Sequence, residues 1–137
     1  MTEFMATEGD IRTGLGERIY KRTVTVGEAE LSGSSQTVKI GTKLPPGAVV
    51  LAHDITVNTQ GVLAGSDLTI KVGGTDDDAI VASTDLDALA AGSYCGTAGV
   101  HPRGDFGSQQ LNAIFAASDL ATLSAGNWTF NVWFTVL

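Results

Sequence analysis

A catalytic or metal centre needs a nucleophile, an acid and base pair or clustered ligands. In this sequence of 137 residues the side chains that could supply one are His53, His101, Cys95 and a set of aspartates. His53-Asp54 is the obvious dyad by adjacency, yet in an extended run neighbouring side chains point to opposite faces, so these two do not readily meet. His101-Pro102-Arg103-Gly104-Asp105 can present a His, an Arg and an Asp together, in a composition that is also that of an ordinary exposed loop. Cys95 is the single cysteine, which excludes an internal disulfide and a Cys-rich metal site; it reads as a small residue in a Gly-rich loop. No Ser lies in a G-x-S-x-G elbow and there is no P-loop or dinucleotide fingerprint, Gly14-x-Gly16 lacking both the third Gly and a preceding strand. Asp76-Asp77-Asp78 is the densest acidic cluster and could hold Ca²⁺, but EF-hand ligands alternate and end in Glu, so three consecutive Asp read as a solvated hairpin tip. The expectation is a protein that is not an enzyme, with no catalytic residue, cofactor or metal.

The elements that would position any of these groups are strands. Hydrophobic residues make up 43% of the chain, charged residues 17%, and there are 17 Gly, a balance that excludes general disorder and calls for many tight turns. Period-two alternation begins at Thr23, with Val24 and Val26 set against Thr23 and Thr25, and returns at Val38 and Ile40 and at Leu68, Ile70 and Val72. Ala48 to Val57 reads as a long strand and Ala79 to Ala82 as a short apolar one. Turn signals lie between them, at Gly33-Ser34-Ser35, Pro45-Pro46-Gly47, Thr59-Gln60-Gly61, Gly65-Ser66-Asp67 and Gly73-Gly74-Thr75. In the last strand Trp128, Phe130, Val132, Phe134 and Val136 are expected on one face, with Thr129, Asn131, Trp133, Thr135 and Leu137 on the other. This predicts an all-β fold, an antiparallel β-sandwich or jelly-roll-like barrel, over residues 23–137.

An internal repeat sharpens that prediction. Residues 79–94 (AIVASTDLDALAAGSY) align with residues 113–128 (AIFAASDLATLSAGNW), and eight of the sixteen positions are identical. Each copy reads as a strand, a one-turn helical connection capped by the Ser or Thr before Asp, two inward Leu, and a Gly that ends the turn before the next strand. Two copies point to pseudo-symmetry within one sandwich, not to a solenoid.

Charge divides the chain. The net charge is −7, from 15 acidic and 8 basic residues, but residues 1–22 are neutral and hold Arg12, Arg18, Lys21 and Arg22. Their scattered Ile11, Leu15 and Ile19 show no period, so residues 1–22 read as an extended N-terminal arm. A body this acidic argues against a nucleic-acid partner. The longest apolar runs are a few residues, and the start has no basic-then-apolar leader, so neither a membrane partner nor a secretory signal is expected.

The stretch Ser35-Gln36-Thr37-Val38-Lys39-Ile40-Gly41, then Leu44-Pro45-Pro46-Gly47-Ala48-Val49-Val50 with the strand to Val57, then Gly73-Gly74-Thr75-Asp76-Asp77-Asp78-Ala79-Ile80, resembles small β-rich virion structural proteins of tailed bacteriophages. In particular it resembles capsid decoration, or cement, proteins. The resemblance implies a homotrimer on the outer surface of the virion's capsid, bound to the major capsid protein, with extended termini that bridge capsomers and brace the shell against packaged DNA. By charge, the basic residues of the arm, Arg12, Arg18, Lys21 and Arg22, suit contact with an acidic capsid surface, and Trp133, opposite the inward aromatic row, reads either as core in the central strand of a sandwich or, with Leu137, as a subunit interface. Alternatives from the residues are another phage component (tail tube, fibre or head completion) or a carbohydrate- or receptor-binding β-sandwich that uses the His101 to Gln110 loop.

Overall fold

The computed structural model describes residues 11–12 and 18–137. The rest of the expected arm lies outside the described residues, and Arg12 is described by its backbone alone. Eleven strands follow in order: β1 Ile11–Arg12, β2 Arg18–Gly27, β3 Ser35–Lys39, β4 Ala48–Val62, β5 Thr69–Gly73, β6 Val81–Asp85, β7 Gly92–Tyr94, β8 Thr97–Ala98, β9 Gly104–Asp105, β10 Asn112–Ala116 and β11 Ala125–Val136. Two short 3-10 turns, Glu28–Glu30 and Leu120–Thr122, complete the regular structure among the described residues.

The strands form two antiparallel sheets, as the period-two pattern predicts. One runs β1-β2-β11-β4-β7, with β9 also on β4; the other runs β3-β10-β5-β6-β8. Their inner faces meet through aromatics, the Phe115 ring of β10 lying 5.4 Å from the Trp128 ring and 5.7 Å from the Phe130 ring of β11. Val50, Ile55 and Val57 from β4 and Ile70 and Val72 from β5 fill the layer between the sheets, all essentially without solvent contact. Burying one such side chain contributes roughly 1.5–3 kcal/mol, so the sandwich core is where most of the stability lies.

The repeat is visible as structure. In each copy a strand of the second sheet (β6 or β10) crosses over to the first sheet (β7 or β11), and β7 and β11 flank β4 on opposite sides. The connections close alike, Leu89 N–H donating to Leu86 O (3.2 Å) and Leu123 N–H to Leu120 O (3.1 Å). Only the second copy completes a 3-10 turn. Its cap is Asp119, whose Oδ1 accepts from Ala121 N–H at 3.0 Å, and not the expected Ser118, whose own N–H donates to Asp67 Oδ2.

Three expectations are corrected. β4 runs on to Val62 through Thr59-Gln60-Gly61, read above as a turn: a β-carbon on Gly61 would sit 3.0 Å from Trp128 Cζ2, so this glycine makes room for the indole and does not end the strand. The short apolar strand expected at residues 79–82 begins at Val81 and runs to Asp85, because Ala79 and Ile80 form the buried turn into it. At the end of β11 a register shift pairs Trp133 with Ala52 but Phe134 with Val50, a bulge at Leu51. Beyond it Thr135 is buried, its hydroxyl donating to Arg18 O at 2.7 Å, while Val136, expected inside, is on the surface.

Candidate functional site

The basic residues of the N-terminal segment lie on a sheet edge. β2 pairs with β11 from Tyr20↔Phe134 to Gly27↔Asn127, so the boundary drawn between residues 22 and 23 falls inside one continuous strand. Arg18 and Lys21 are exposed, and Arg22 is half-buried. The Arg22 guanidinium carbon lies 4.9 Å from the centre of the Phe134 ring, and Nε–H donates to Thr42 O at 3.1 Å, so its charge is held over the open end of the core. Tyr20 stacks on the same ring with centroids 5.5 Å apart. Tyr20, Arg22, Pro45, Phe134 and Val136 line a notch of about 200 Å³ there.

Trp133 and Leu137 take different places. Trp133 lies on the outer face of the first sheet, half-buried, in register with Lys21 on one side and Ala52 on the other. Leu137 is 81% exposed at the end of the chain, and its N–H donates to Gly47 O. Below Trp133 the same face carries a polar ladder that sequence reading did not pick out. Thr25 and Thr129 hydroxyls are 2.9 Å apart, Asn58 Nδ2 donates to Asn127 Oδ1 and Thr129 Oγ1, and Asn131 Nδ2 donates to Asp54 Oδ1 at 2.8 Å. The signal was the Asn and Thr at alternate positions of β11, but their partners come from strands up to 104 residues away.

The adjacent pair His53-Asp54 is parted, while the His101 loop gathers several polar groups around one cleft. His53 Nε2–H donates to the Cys95 carbonyl (3.0 Å) and Asp54 accepts from Asn131, so the adjacent pair finds separate partners, as a strand requires. The His101 to Asp105 loop packs against the Asp76 hairpin, an association the sequence did not reveal, and His101, Arg103, Asp105, Asp76 and Gln109 line a cleft of about 480 Å³. Several of its polar groups have structural partners: His101 N–H donates to Ala79 O, Asp105 Oδ1 accepts from Gly107 N–H, and Gln109 Oε1 accepts from Thr75 N–H.

The carboxylates of Asp76, Asp77 and Asp78 lie within 4.8 Å of one another. Lys71 Nζ is 3.3 Å from Asp77 Oδ2. A hydrogen bond with Asp76 above all, then partial desolvation and the charges of Asp76 and Asp77, push the Asp78 carboxyl above the usual aspartate value. Repulsion in the cluster is thus met by Lys71 and by a tighter hold on a proton.

No protein-family model matches the chain, and no curated protein does. Among solved structures, the chain is similar to one in the cyanophage Pam1 capsid asymmetric unit, at 17% identity over 98% of this chain and 94% of that one, with a TM-score of 0.65. It is also similar to a chain in the capsid of Ralstonia phage GP4, at 16% identity over 97% and 90%, with a TM-score of 0.52. At these identities the likeness is one of fold: nearly the whole chain shares its β-sandwich architecture with chains found in two phage capsids.

Proposed function

We propose that this chain is a virion structural protein, a decoration or cement protein that binds the outside of a phage head and bridges its capsomers. The observation that carries the reading is the match over 98% of the chain to a protein chain of a phage capsid. The sandwich supplies a rigid body with a net negative charge, and the basic residues Arg12, Arg18, Lys21 and Arg22 supply the contact with the major capsid protein. Positive side chains at one edge meet acidic shell surface, and many weak contacts repeated over a lattice sum through avidity. The acidic remainder faces solvent and keeps particles apart. Trp133 and Leu137 are the proposed subunit contacts of a homotrimer.

Light-scattering mass and binding to undecorated heads test this, on the full chain and on a chain beginning at Arg18. Starting there keeps β2 whole, since Thr135 Oγ1 bonds to Arg18 O and Tyr20 stacks on Phe134. A trimer whose head binding weakens in the shortened chain, which loses Arg12 but keeps Arg18, Lys21 and Arg22, and collapses when Lys21→Glu is added, is the expected result. A folded monomer indifferent to heads in both forms would sink the proposal.

A second reading has its own support in the cleft between the His101 loop and the Asp76 hairpin, which brings a His, an Arg and carboxylates to one concave surface. A receptor- or carbohydrate-binding module would use it. Glycan binding that is lost on replacing His101 and Arg103 together is the result that reading requires.

A further inference from the structure

The cleft between the His101 loop and the Asp76 hairpin measures about 480 Å³. That lies within the roughly 300–1,000 Å³ of small-molecule sites, which the notch of about 200 Å³ beside Phe134 does not reach. Its walls are tied together by the backbone and by one amide. His101 N–H donates to Ala79 O at 2.8 Å, Leu44 N–H donates to Gln109 O at 2.9 Å, and Gln109 Oε1 accepts from Thr75 N–H at 3.0 Å. A β-carbon on Gly74 would sit 2.2 Å from Gln109 Oε1, so this glycine lets the amide lie directly on the hairpin.

These bonds use one end of each polar group and leave the other for a ligand. His101, Arg103 and Asp105 are exposed, and neither the Arg103 guanidinium nor the His101 ring has a partner among the described residues. The bond to Thr75 leaves Gln109 Nε2 as a donor, and the bond from Gly107 N–H to Asp105 Oδ1 leaves Oδ2 as an acceptor. Asp76 adds a second carboxylate, and the buried Ala79 and Phe106 are the apolar part of the lining.

Charge selects among ligands. An anion meets one Arg against Asp76 and Asp105, with Asp77 and Asp78 alongside, in a chain of net charge −7. A cation meets Arg103. An apolar molecule would strip water from a guanidinium and two carboxylates and give them nothing in return. A neutral, rigid molecule with adjacent hydroxyls satisfies them all, because each hydroxyl both donates and accepts and a planar carboxylate or guanidinium spans two of them.

We propose that this cleft binds a neutral hexose, with neighbouring hydroxyls bridged by the Asp105 carboxylate and by the Arg103 guanidinium. The proposal rests on the second reading of the cleft and names its ligand class. It is compatible with attachment to a head through the basic residues. Those lie on β2, whereas β9, which carries Asp105, lies beyond β11 and β4 on the opposite side of the same sheet. A chain held by one edge presents the cleft at the other.

The test is a titration of the full chain, read by amide NMR, with linear hexasaccharides of glucose, galactose and mannose and with a galacturonate hexasaccharide as the anionic counterpart. Ligand up to about 10 mM registers any dissociation constant of about 1 mM or tighter. A neutral hexasaccharide is expected to shift the amides of Thr75, Ala79 and residues 104–109, and galacturonate to bind about tenfold more weakly. Free monosaccharides run alongside: equal affinity marks a single-sugar site and tighter binding of the hexasaccharide marks a stretch of polysaccharide, the proposal standing in either case. Arg103→Gln and Gln109→Glu are each expected to weaken binding about tenfold. The first removes a guanidinium that holds nothing in the fold, and the second keeps an acceptor for Thr75 N–H while losing Nε2. Amide spectra unchanged away from the cleft show that both variants fold. Galacturonate binding tighter than every neutral sugar would keep the cleft as a ligand site and overturn its assignment to a neutral hexose. No shift at the cleft with any sugar would overturn this proposal and the glycan reading behind it, while head binding is read separately by the light-scattering test.

Discussion

A β-carbon on Gly126 would lie 2.3 Å from Cη2 of Trp128, so the backbone of β11 folds directly over the indole two residues ahead. The glycine holds φ at 147°, a conformation side chains resist. The first copy of the repeat has the same pair in relaxed form: Gly92 at φ 153°, where a β-carbon would be 3.4 Å from the Tyr94 hydroxyl oxygen. Gly126→Ala must both strain the backbone and displace a fully buried ring, a loss of about 3 kcal/mol or more. Gly92→Ala meets the backbone cost alone, about 1–3 kcal/mol, since the tyrosine can yield. Denaturant midpoints of the two variants check this; equal losses would refute it.

The repeat was legible because Leu, Gly and aromatic recur at a fixed spacing, and the inward row Trp128, Phe130, Val132, Phe134 was legible because a strand alternates. Gly61 was not. A glycine between polar residues reads as a turn, and what decides its role is Trp128, sixty-seven residues on in sequence. The edge residues failed to show for a related reason. Arg18, Lys21 and Arg22 look alike as a basic run, but alternation along β2 puts Lys21 on the other face, and the register with β11 sets Arg22 against Val132, within reach of the Phe134 ring. The cleft joins two loops whose proximity depends on the whole sheet order, and no local pattern encodes that.

Arg22 and Lys21 should therefore separate stability from attachment. Arg22→Ala removes a cation over an aromatic ring and a charged donor to Thr42 O, costing about 1–2 kcal/mol. Lys21→Glu disturbs no core contact and is expected to leave the melting temperature within about 1–2 °C of the parent while lowering affinity for heads. Thermal melts run beside head-binding isotherms read both, and a fall in melting temperature for Lys21→Glu equal to that of Arg22→Ala would defeat the distinction.

Asp87 predicts a pH dependence. Partial burial first, then the charges of Asp85 and Asp67, raise its carboxyl above the ordinary 3.8, and its Oδ1 is buried with no hydrogen-bond partner among the described residues. A carboxyl raised on folding binds its proton more tightly in the folded state, so its charge destabilises at neutral pH and that cost is relieved as pH falls through the raised value. Asp87→Asn removes the charge, and the expected result is a higher melting temperature than the parent at pH 7, with the gap narrowing as pH approaches 3.8. A gap independent of pH would show that the carboxylate's charge is not the cause.

Trp133 tests the assembly. Its side chain lies on the outer face of the first sheet, between Lys21 and Ala52 in register, where the small Ala52 leaves the indole half in solvent. A large aromatic on an otherwise Thr- and Asn-lined face is the kind of side chain that carries interface energy, because it buries much area at low entropic cost. Within the chain it supports little, since the core row of β11 is on the other side. Trp133→Ala is accordingly expected to shift the light-scattering mass from trimer to monomer, with the denaturant midpoint nearly unchanged, and Leu137→Ser to weaken the trimer in the same direction. An unchanged mass with a clear loss of stability would make Trp133 a cover for its own sheet and remove it from the interface.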